Sequence, residues 1–177
     1  MEYKVIAAVK DDLFEKSLGT TGEWIFDLSP DISTVKNRAE LCHAAGKKYF
    51  VHFDLAGGIG KDKSGMLFAK EMGIDGIIST RVNIIKMAKE LGLFTVQRFF
   101  IVDSHSIDTT LEAVKSAKPD MIEVMPGIMP KVIEKLRSEM KAPIIAGGLV
   151  ETEDELCEAI RSGAIAVSTS RTELWEI

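Results

Sequence analysis

Residues 143–170 read PIIAGGLVETEDELCEAIRSGAIAVSTS. Short apolar runs at the two ends flank residues 153–161, whose apolar positions recur near the 3.6-residue period of a helix. Thr152 stands as an N-cap ahead of Glu155, and Gly163 follows the last helical turn. A strand, a helix and a second strand in this order predict a βαβ unit with two parallel strands.

Short apolar runs of the same kind recur along the whole chain. Eight of them predict strands, at 5–9, 24–28, 49–55, 76–80, 94–100, 121–125, 143–146 and 164–168. The segments between them predict helices at 32–45, 63–72, 83–91, 106–117, 129–140 and 153–161. Several runs are apolar almost throughout, which is typical of strands buried on both faces of a sheet.

This alternation favours an α/β fold in which residues 1–177 form one small (β/α)₈ barrel, a TIM barrel. Eight such units normally take about 250 residues, so the loops must be short in a chain of 177. The connection between the first two strands is brief, and only residues 171–177 remain for a stub last helix. An open sheet of six or seven strands is the alternative.

Composition narrows the class of protein further. No apolar run approaches the roughly 18 to 20 residues that a membrane span needs, and the N-terminus lacks a signal-peptide pattern, so we expect a soluble cytoplasmic protein. Cys42 and Cys157 stand apart in helix-like segments, which indicates reduced thiols rather than a metal site or a disulfide. The net charge of −5 opposes nonspecific attraction to a polyphosphate, so any nucleic-acid contact must be local.

In a barrel of this kind the ligand lies at the C-terminal ends of the strands. The residues at these ends are unusually polar. They are Lys10, Asp11, Asp27, Ser29, His52, Asp54, Ser79, Thr80, Arg81, Gln97, Arg98, Asp103, Glu123, Gly147, Gly148, Ser168, Thr169 and Ser170.

Small residues follow the last two predicted strands, in Ala-Gly-Gly-Leu at 146–149 and Val-Ser-Thr-Ser at 167–170. Such residues let backbone N–H groups approach a phosphate, and this is the phosphate position common in TIM barrels. The alternative is that the glycines only turn the chain and the hydroxyls cap the last helix. We expect phosphate binding by Gly147, Gly148, Ser168, Thr169 and Ser170.

Residues 55–61, LAGGIGK, lack the first Gly of a P-loop and the Ser or Thr that must follow its Lys. They also lack the helix and glycine spacing of a dinucleotide-binding fingerprint. A mobile loop over the barrel mouth is the better interpretation.

The predicted strand 49–55 places His52 and Asp54 two residues apart, so their side chains share one face. Such a pair binds metal or moves protons, but without a third ligand at metal spacing we favour a hydrogen-bonded pair and no metal. Glu123 is the best candidate for a catalytic base, or it pairs with Arg98 to hold ligand hydroxyls.

Arg81 and Arg98 stand where they could grip an anion, although arginines at strand ends also serve as salt-bridge partners. Lys10 is the single lysine at the C-terminal end of a predicted strand, which counts against an aldolase that forms a Schiff base on an inward lysine.

Several ordered motifs together resemble the bacterial glycerol uptake operon antiterminator family. They are His52-Phe-Asp54, Gly76-Ile-Ile-Ser-Thr-Arg81, Gln97-Arg98, Pro119-Asp-Met-Ile-Glu-Val-Met-Pro-Gly127, Ala146-Gly-Gly-Leu149 and Ser168-Thr-Ser170 with Leu174-Trp175. The resemblance runs over about 49–175. The first strand exit, Ala7-Ala8-Val9-Lys10-Asp11, departs from the Pro-Ala-Ile-Arg-Asn-like segment usual in that family.

The resemblance implies a small TIM barrel that responds to glycerol 3-phosphate and acts on the leader mRNA of glycerol-utilisation genes. It implies a sensor without catalysis or cofactor, with Asp54, Arg98 and Glu123 near the glycerol hydroxyls. Further candidates in the mouth are Lys10, His52, Ser79, Thr80, Arg81, Gln97 and Gly127. The alternative is an enzyme acting on a triose or polyol phosphate with Glu123 as base. A third reading is a phosphometabolite-binding protein whose partner is another protein.

Overall fold

Eight parallel strands close into a barrel in the computed structural model, which describes residues 4–177. The strands are β1 (Val5–Val9), β2 (Trp24–Asp27), β3 (Lys48–His52), β4 (Gly76–Ser79), β5 (Phe94–Phe100), β6 (Met121–Met125), β7 (Ile144–Gly147) and β8 (Ala166–Thr169). Each strand pairs with its neighbours in sequence, and β1 also pairs with β8. The predicted TIM barrel is confirmed, and the open sheet is wrong.

Seven helices surround the barrel. They are α1 (Phe14–Leu18), α2 (Val35–Ala44), α3 (Lys63–Glu71), α4 (Val82–Glu90), α5 (Ser104–Ala117), α6 (Pro130–Glu139) and α7 (Glu153–Arg161). Short 3₁₀ turns lie at Asp11–Leu13, Phe53–Leu55 and Thr172–Leu174. The last of these is the stub predicted after β8. Between residues 4 and 177, the model contains no helix with the length and apolar character needed to span a membrane.

The βαβ unit at 143–170 forms as its sequence indicates. The Thr152 hydroxyl accepts a hydrogen bond from the backbone N–H of Glu155 at 3.3 Å, and the Glu155 carboxylate accepts one from the Thr152 N–H at 3.1 Å. This capping box satisfies donors that the first turn of α7 would otherwise leave unpaired. The helix therefore begins where the sequence places it.

Two apolar layers hold the barrel together. The outer layer lies between strands and helices, and the inner layer fills the barrel with side chains that include Phe26, Phe50 and Ile78. Phe50 stacks on Trp24 with ring centroids 4.6 Å apart. Gly76 makes room for this packing, because a Cβ there would lie 2.5 Å from the Phe50 ring. The interior is a packed core, so a ligand can enter only above it, at an end of the barrel.

A buried ion pair fastens the short first unit to the barrel. Asp27 ends β2 on its outer face, where one carboxylate oxygen accepts hydrogen bonds from Arg38 Nη1 at 2.8 Å and from the Tyr49 hydroxyl at 2.5 Å. The Arg38 guanidinium also pairs with Asp11 and lies over the Phe14 ring, 4.8 Å from its centroid. Asp27 therefore serves the fold and does not face the mouth.

We expect Arg38→Met to lower the free energy of unfolding by about 3 kcal/mol, because it leaves the buried Asp27 carboxylate without its cation. Asp11→Asn removes the other partner of the same guanidinium, but the Asp11 side chain is 75% exposed, so its loss should cost less than about 1 kcal/mol. Urea unfolding of the two variants measures both values. Equal losses would show that the buried pair is not the anchor.

Candidate functional site

A polar layer lies directly above the inner apolar core, at the C-terminal ends of the strands. It consists of His52 on β3, Arg98 on β5, Glu123 on β6 and Ser168 on β8, all buried. Arg98 Nε donates to Glu123 Oε2 at 2.6 Å, and the Ser168 hydroxyl donates to Glu123 Oε1. Arg98 and Glu123 thus pair with each other, which the sequence had left as one of two roles for Glu123.

Gly147 makes this arrangement possible. A Cβ at this position would lie 2.6 Å from the Ser168 hydroxyl oxygen and would also collide with the Glu123 carboxylate. Because Gly147 has no side chain, the Glu123–Ser168 hydrogen bond can occupy this space. Gly147 was predicted to contact phosphate, but it does not line the cavity described next.

A cavity of about 230 Å³ opens at the mouth beside the polar layer. Its walls come from the ends of β1, β2, β5, β6, β7 and β8. They are Ala8, Leu28, Arg98, Met125, Gly148, Leu149, Val150, Glu151, Ser168, Thr169, Ser170 and Arg171. A larger cavity of about 550 Å³ lies at the opposite end of the barrel, against Trp24 and Lys48. We place the site at the mouth, where the unpaired buried polar atoms Arg98 Nη2 and His52 Nδ1 lie.

The loop after β7 presents free backbone donors to the mouth cavity. Gly148 and Leu149 both have positive φ, 73° and 61°, which is unusual for leucine. Among residues 4–177, neither of their N–H groups has a hydrogen-bond acceptor. Gly127 holds the loop from β6, where its N–H donates to the Gly148 carbonyl at 2.9 Å. Successive unpaired N–H groups in such a turn form an anion-binding concavity.

His52 is a neutral imidazole at pH 7. Burial lowers its pKa below 6.5, and the positive charge of Arg98 lowers it further, while the carboxylates of Asp54 and Glu123 act in the opposite direction. The His52 side chain is 5% exposed, and its Nδ1 atom has no partner among the described residues. No group of three or more His, Cys, Asp or Glu side chains within residues 4–177 is placed to hold a metal ion.

Asp54 does not share a strand with His52, because β3 ends at His52 and Phe53–Leu55 form a 3₁₀ turn. Asp54 Oδ1 accepts from the Ser79 hydroxyl at 2.7 Å, and Oδ2 accepts from the Thr80 N–H at 2.8 Å and the Thr80 hydroxyl at 3.0 Å. Burial raises the pKa of Asp54, but these hydrogen bonds outweigh burial and hold the pKa below its usual value. The three residues therefore tie the loops after β3 and β4 together.

Two other predicted site residues point away from the mouth. Gln97 lies on the outer face of β5, opposite Arg98, because strand side chains alternate and Val96 faces the inner core. Thr169 is also on an outer face, where its hydroxyl donates to the Val150 carbonyl at 2.8 Å and accepts from the Arg171 N–H at 3.1 Å. Its hydroxyl is therefore not available to a phosphate.

The remaining candidates are spread around the rim. Lys10 and Arg81 are exposed, and neither lines the cavity. Arg98, Gly148, Ser168, Thr169 and Ser170 do line it, and their contacts with a ligand stay a prediction.

Sequence reasoning missed Leu149 and the ion pair of Arg171 with Glu151, 2.6 Å, at the cavity edge. The signal was available, because Leu149 and Arg171 directly adjoin the two small-residue motifs.

The loop at 55–62 lies folded against its neighbours. Ile59 is buried in the outer layer, and Lys61 Nζ donates to the Ile59 carbonyl at 2.8 Å. Gly57 bridges to the loop after β2, since its carbonyl accepts from the Ile32 N–H at 2.9 Å. The mobility expected of this loop stays a prediction.

A closed eight-stranded barrel with a polar pocket beside β7 and β8 defines a TIM barrel whose mouth cavity lies at the position where many such barrels bind phosphate. The family model described as glycerol-3-phosphate responsive antiterminator matches residues 5–175. The chain belongs to this family, and the match also covers the first strand, whose exit departs from the usual pattern.

Three relatives agree with this assignment. The glycerol uptake operon antiterminator regulatory protein of Listeria monocytogenes is 35% identical, with a TM-score of 0.92 over 99% of this chain and 96% of that one. A glycerol uptake operon antiterminator-related protein of Thermotoga maritima is 34% identical, with a TM-score of 0.88 over the full length of both chains. The uncharacterized protein YgcP of Escherichia coli is 38% identical over 98% of this chain and 92% of its own length.

We expect the stability of the fold to fall as the pH drops from 7.5 to 5.5. The folded-state pKa of His52 is lowered, so below about pH 6.5 the unfolded chain binds a proton that the folded protein refuses, and stability is lost as the pH falls. The loss from this residue is at most about 1.4 kcal/mol at pH 5.5. Urea unfolding at the two pH values measures it. His52→Gln should reduce the slope, and an unchanged slope would contradict the assignment to His52.

Proposed function

We propose that this protein is a glycerol-3-phosphate sensor of the cytoplasm that controls antitermination by binding leader mRNA. The observation that carries the ligand half of this proposal is the mouth cavity, which Arg98 lines together with Gly148 and Leu149, whose N–H groups have no acceptor among residues 4–177. The family description supplies the name of the ligand. The proposal that the protein binds leader mRNA rests on the description of the family as an antiterminator.

The phosphate fits against the loop after β7 and the end of β8. The N–H groups of Gly148 and Leu149 donate to its oxygens, Ser170 adds a hydroxyl, and Arg98 adds a positive charge. The glycerol part then points toward the polar layer of Arg98 and Glu123. Asp54 has no part in this pose, since its oxygens are already paired with Ser79 and Thr80.

Control of RNA binding by the ligand requires that the ligand bind two forms of the protein with different affinities. Glycerol 3-phosphate shifts the protein toward an RNA-binding form only if it binds that form more tightly than the other. Leu149 connects the cavity to the protein surface, because it lines the cavity and is also 63% exposed. A ligand that orders this loop therefore changes the outer surface of the mouth.

The structure gives less support to the enzyme alternative. Both oxygens of Glu123 accept hydrogen bonds, one from Arg98 and one from Ser168, so the carboxylate is committed as a charge partner and not poised to remove a substrate proton. Turnover of glycerol 3-phosphate or dihydroxyacetone phosphate that Glu123→Gln abolishes would favour the enzyme.

We expect glycerol 3-phosphate to raise the melting temperature, with an increase that grows with the logarithm of ligand concentration once this concentration exceeds Kd. Gly148→Asp should abolish the shift, because it places a carboxylate beside the phosphate. Gly148→Asn is the matched control, with the same shape and the same positive φ but no charge. A Cβ at this position lies 3.5 Å from Met125, in ordinary contact, so both variants should fold. Equal ligand-induced increases in melting temperature in the two variants would contradict phosphate binding by this loop.

The RNA half is tested separately by a gel shift of the purified protein on the leader RNA of the neighbouring glycerol genes, at fixed salt concentration. We expect glycerol 3-phosphate to change the fraction of RNA bound, and Gly148→Asp to cancel this change. No shift under either condition, with ligand binding intact, would leave a phosphoester-binding protein with a protein partner or an enzyme.

A further inference from the structure

Two buried nitrogen atoms in the polar layer lack partners. Arg98 is 6% exposed and His52 is 5% exposed, yet neither Arg98 Nη2 nor His52 Nδ1 makes a hydrogen bond within the described chain. Burying a polar atom without a partner is unfavourable, so such atoms indicate a group that completes them. His52 ends β3 and Arg98 lies in the C-terminal half of β5, both on the inner face of the barrel, so the missing partner belongs at the mouth.

His52 Nδ1 lies away from the phosphate end of the cavity. In a ring of eight consecutive strands, β3 lies opposite β7. His52 is therefore across the mouth from Gly148, and it does not line the mouth cavity, whereas Arg98 does. Arg98 lies on the same inner face two strands from His52, and its positive charge lowers the pKa of His52. In the proposed pose, a ligand with its phosphate at β7 and β8 extends past Arg98 toward His52.

The charges around this inner position are already balanced. The Arg98 cation is paired with the Glu123 carboxylate at 2.6 Å. The carboxylates of Asp54 and Glu123 also act on His52, whose lowered pKa favours the neutral imidazole at pH 7. A second anionic group on the ligand would thus meet two carboxylates and a cation that is already paired, and burying it would be unfavourable.

We propose that His52 and Arg98 form an inner subsite that accepts an uncharged hydroxyl and rejects a carboxylate, which makes His52 a specificity-determining residue. This inference rests on the proposed function, since it assumes that a phosphate ester occupies the mouth. A hydroxyl suits the two nitrogens because it can accept a hydrogen bond from Arg98 Nη2 while donating to or accepting from His52 Nδ1. The preferred ligands are polyol monophosphates, and phospho-acids of the same length are excluded.

The test compares two probes that differ only at the end far from the phosphate. sn-Glycerol 3-phosphate ends in a CH₂OH group, and L-3-phosphoglycerate, which has the same arrangement at the central carbon, carries a carboxylate in its place. Isothermal titration calorimetry at pH 7.5 should give at least about tenfold tighter binding of glycerol 3-phosphate. At pH 5.5 the ratio should fall, because the bound carboxylate raises the pKa of His52 and lets it take up the proton that the ligand-free folded protein refuses. Ionisation of the phosphate affects both probes alike and cancels in the ratio.

His52→Gln is the matched variant, because glutamine donates and accepts hydrogen bonds but does not titrate in this range. Its affinity ratio should not change between pH 7.5 and 5.5, and His52→Asn serves if the larger amide disturbs the fold. Equal affinities of the native protein for both probes at pH 7.5 would overturn the inference while leaving the proposed function intact. A ratio that falls with pH as much in His52→Gln would also overturn it. Binding of neither probe would remove both proposals.

Discussion

The ion pair between Arg98 and Glu123 is the interaction on which the mouth of this barrel depends. It joins β5 to β6, and the hydrogen bond from Ser168 extends it to β8. A buried ion pair is tolerated only when the other polar atoms of its two groups form hydrogen bonds within the protein or with a ligand. Here Gly147 provides the space for the carboxylate. The unpaired side of the guanidinium remains for a ligand, so one contact both closes the core and prepares the site.

The two halves of the mouth are built differently. After β3 and β4, side chains do the joining, since Asp54 uses both oxygens on Ser79 and Thr80. After β7, the backbone of Gly148 and Leu149 turns with positive φ and keeps its N–H groups free. The Asp54 carboxylate is hydrogen-bonded between the loops after β3 and β4, so it stiffens that side of the mouth and is not available to a ligand. The unpaired N–H groups after β7 favour an anion on the other side. The ligand is therefore expected off-centre, near β7 and β8.

This division also explains how a barrel shared with many enzymes can serve as a sensor. The fold supplies a mouth at the C-terminal ends of the strands, but the chemistry depends on which side chains reach it. Glu123 is held by two hydrogen bonds, so its carboxylate is fixed within the polar layer as the partner of Arg98 and Ser168. Leu149 is exposed at the mouth, so ligand binding to its loop can change the protein surface there.

The sequence by itself determined the barrel, the order of its strands and the cluster at β7 and β8, because apolar runs, helix caps and small residues are local signals. The tertiary structure decided which candidate side chains face the barrel mouth. Asp54 falls in a 3₁₀ turn, Gln97 lies on the outer face of β5, and Thr169 bonds to the Val150 carbonyl. Which side chains face the mouth depends on where each strand ends and how the barrel closes. Their hydrogen-bond partners also lie tens of residues apart in the sequence. No local pattern encodes such pairings, since they exist only once the strands are assembled.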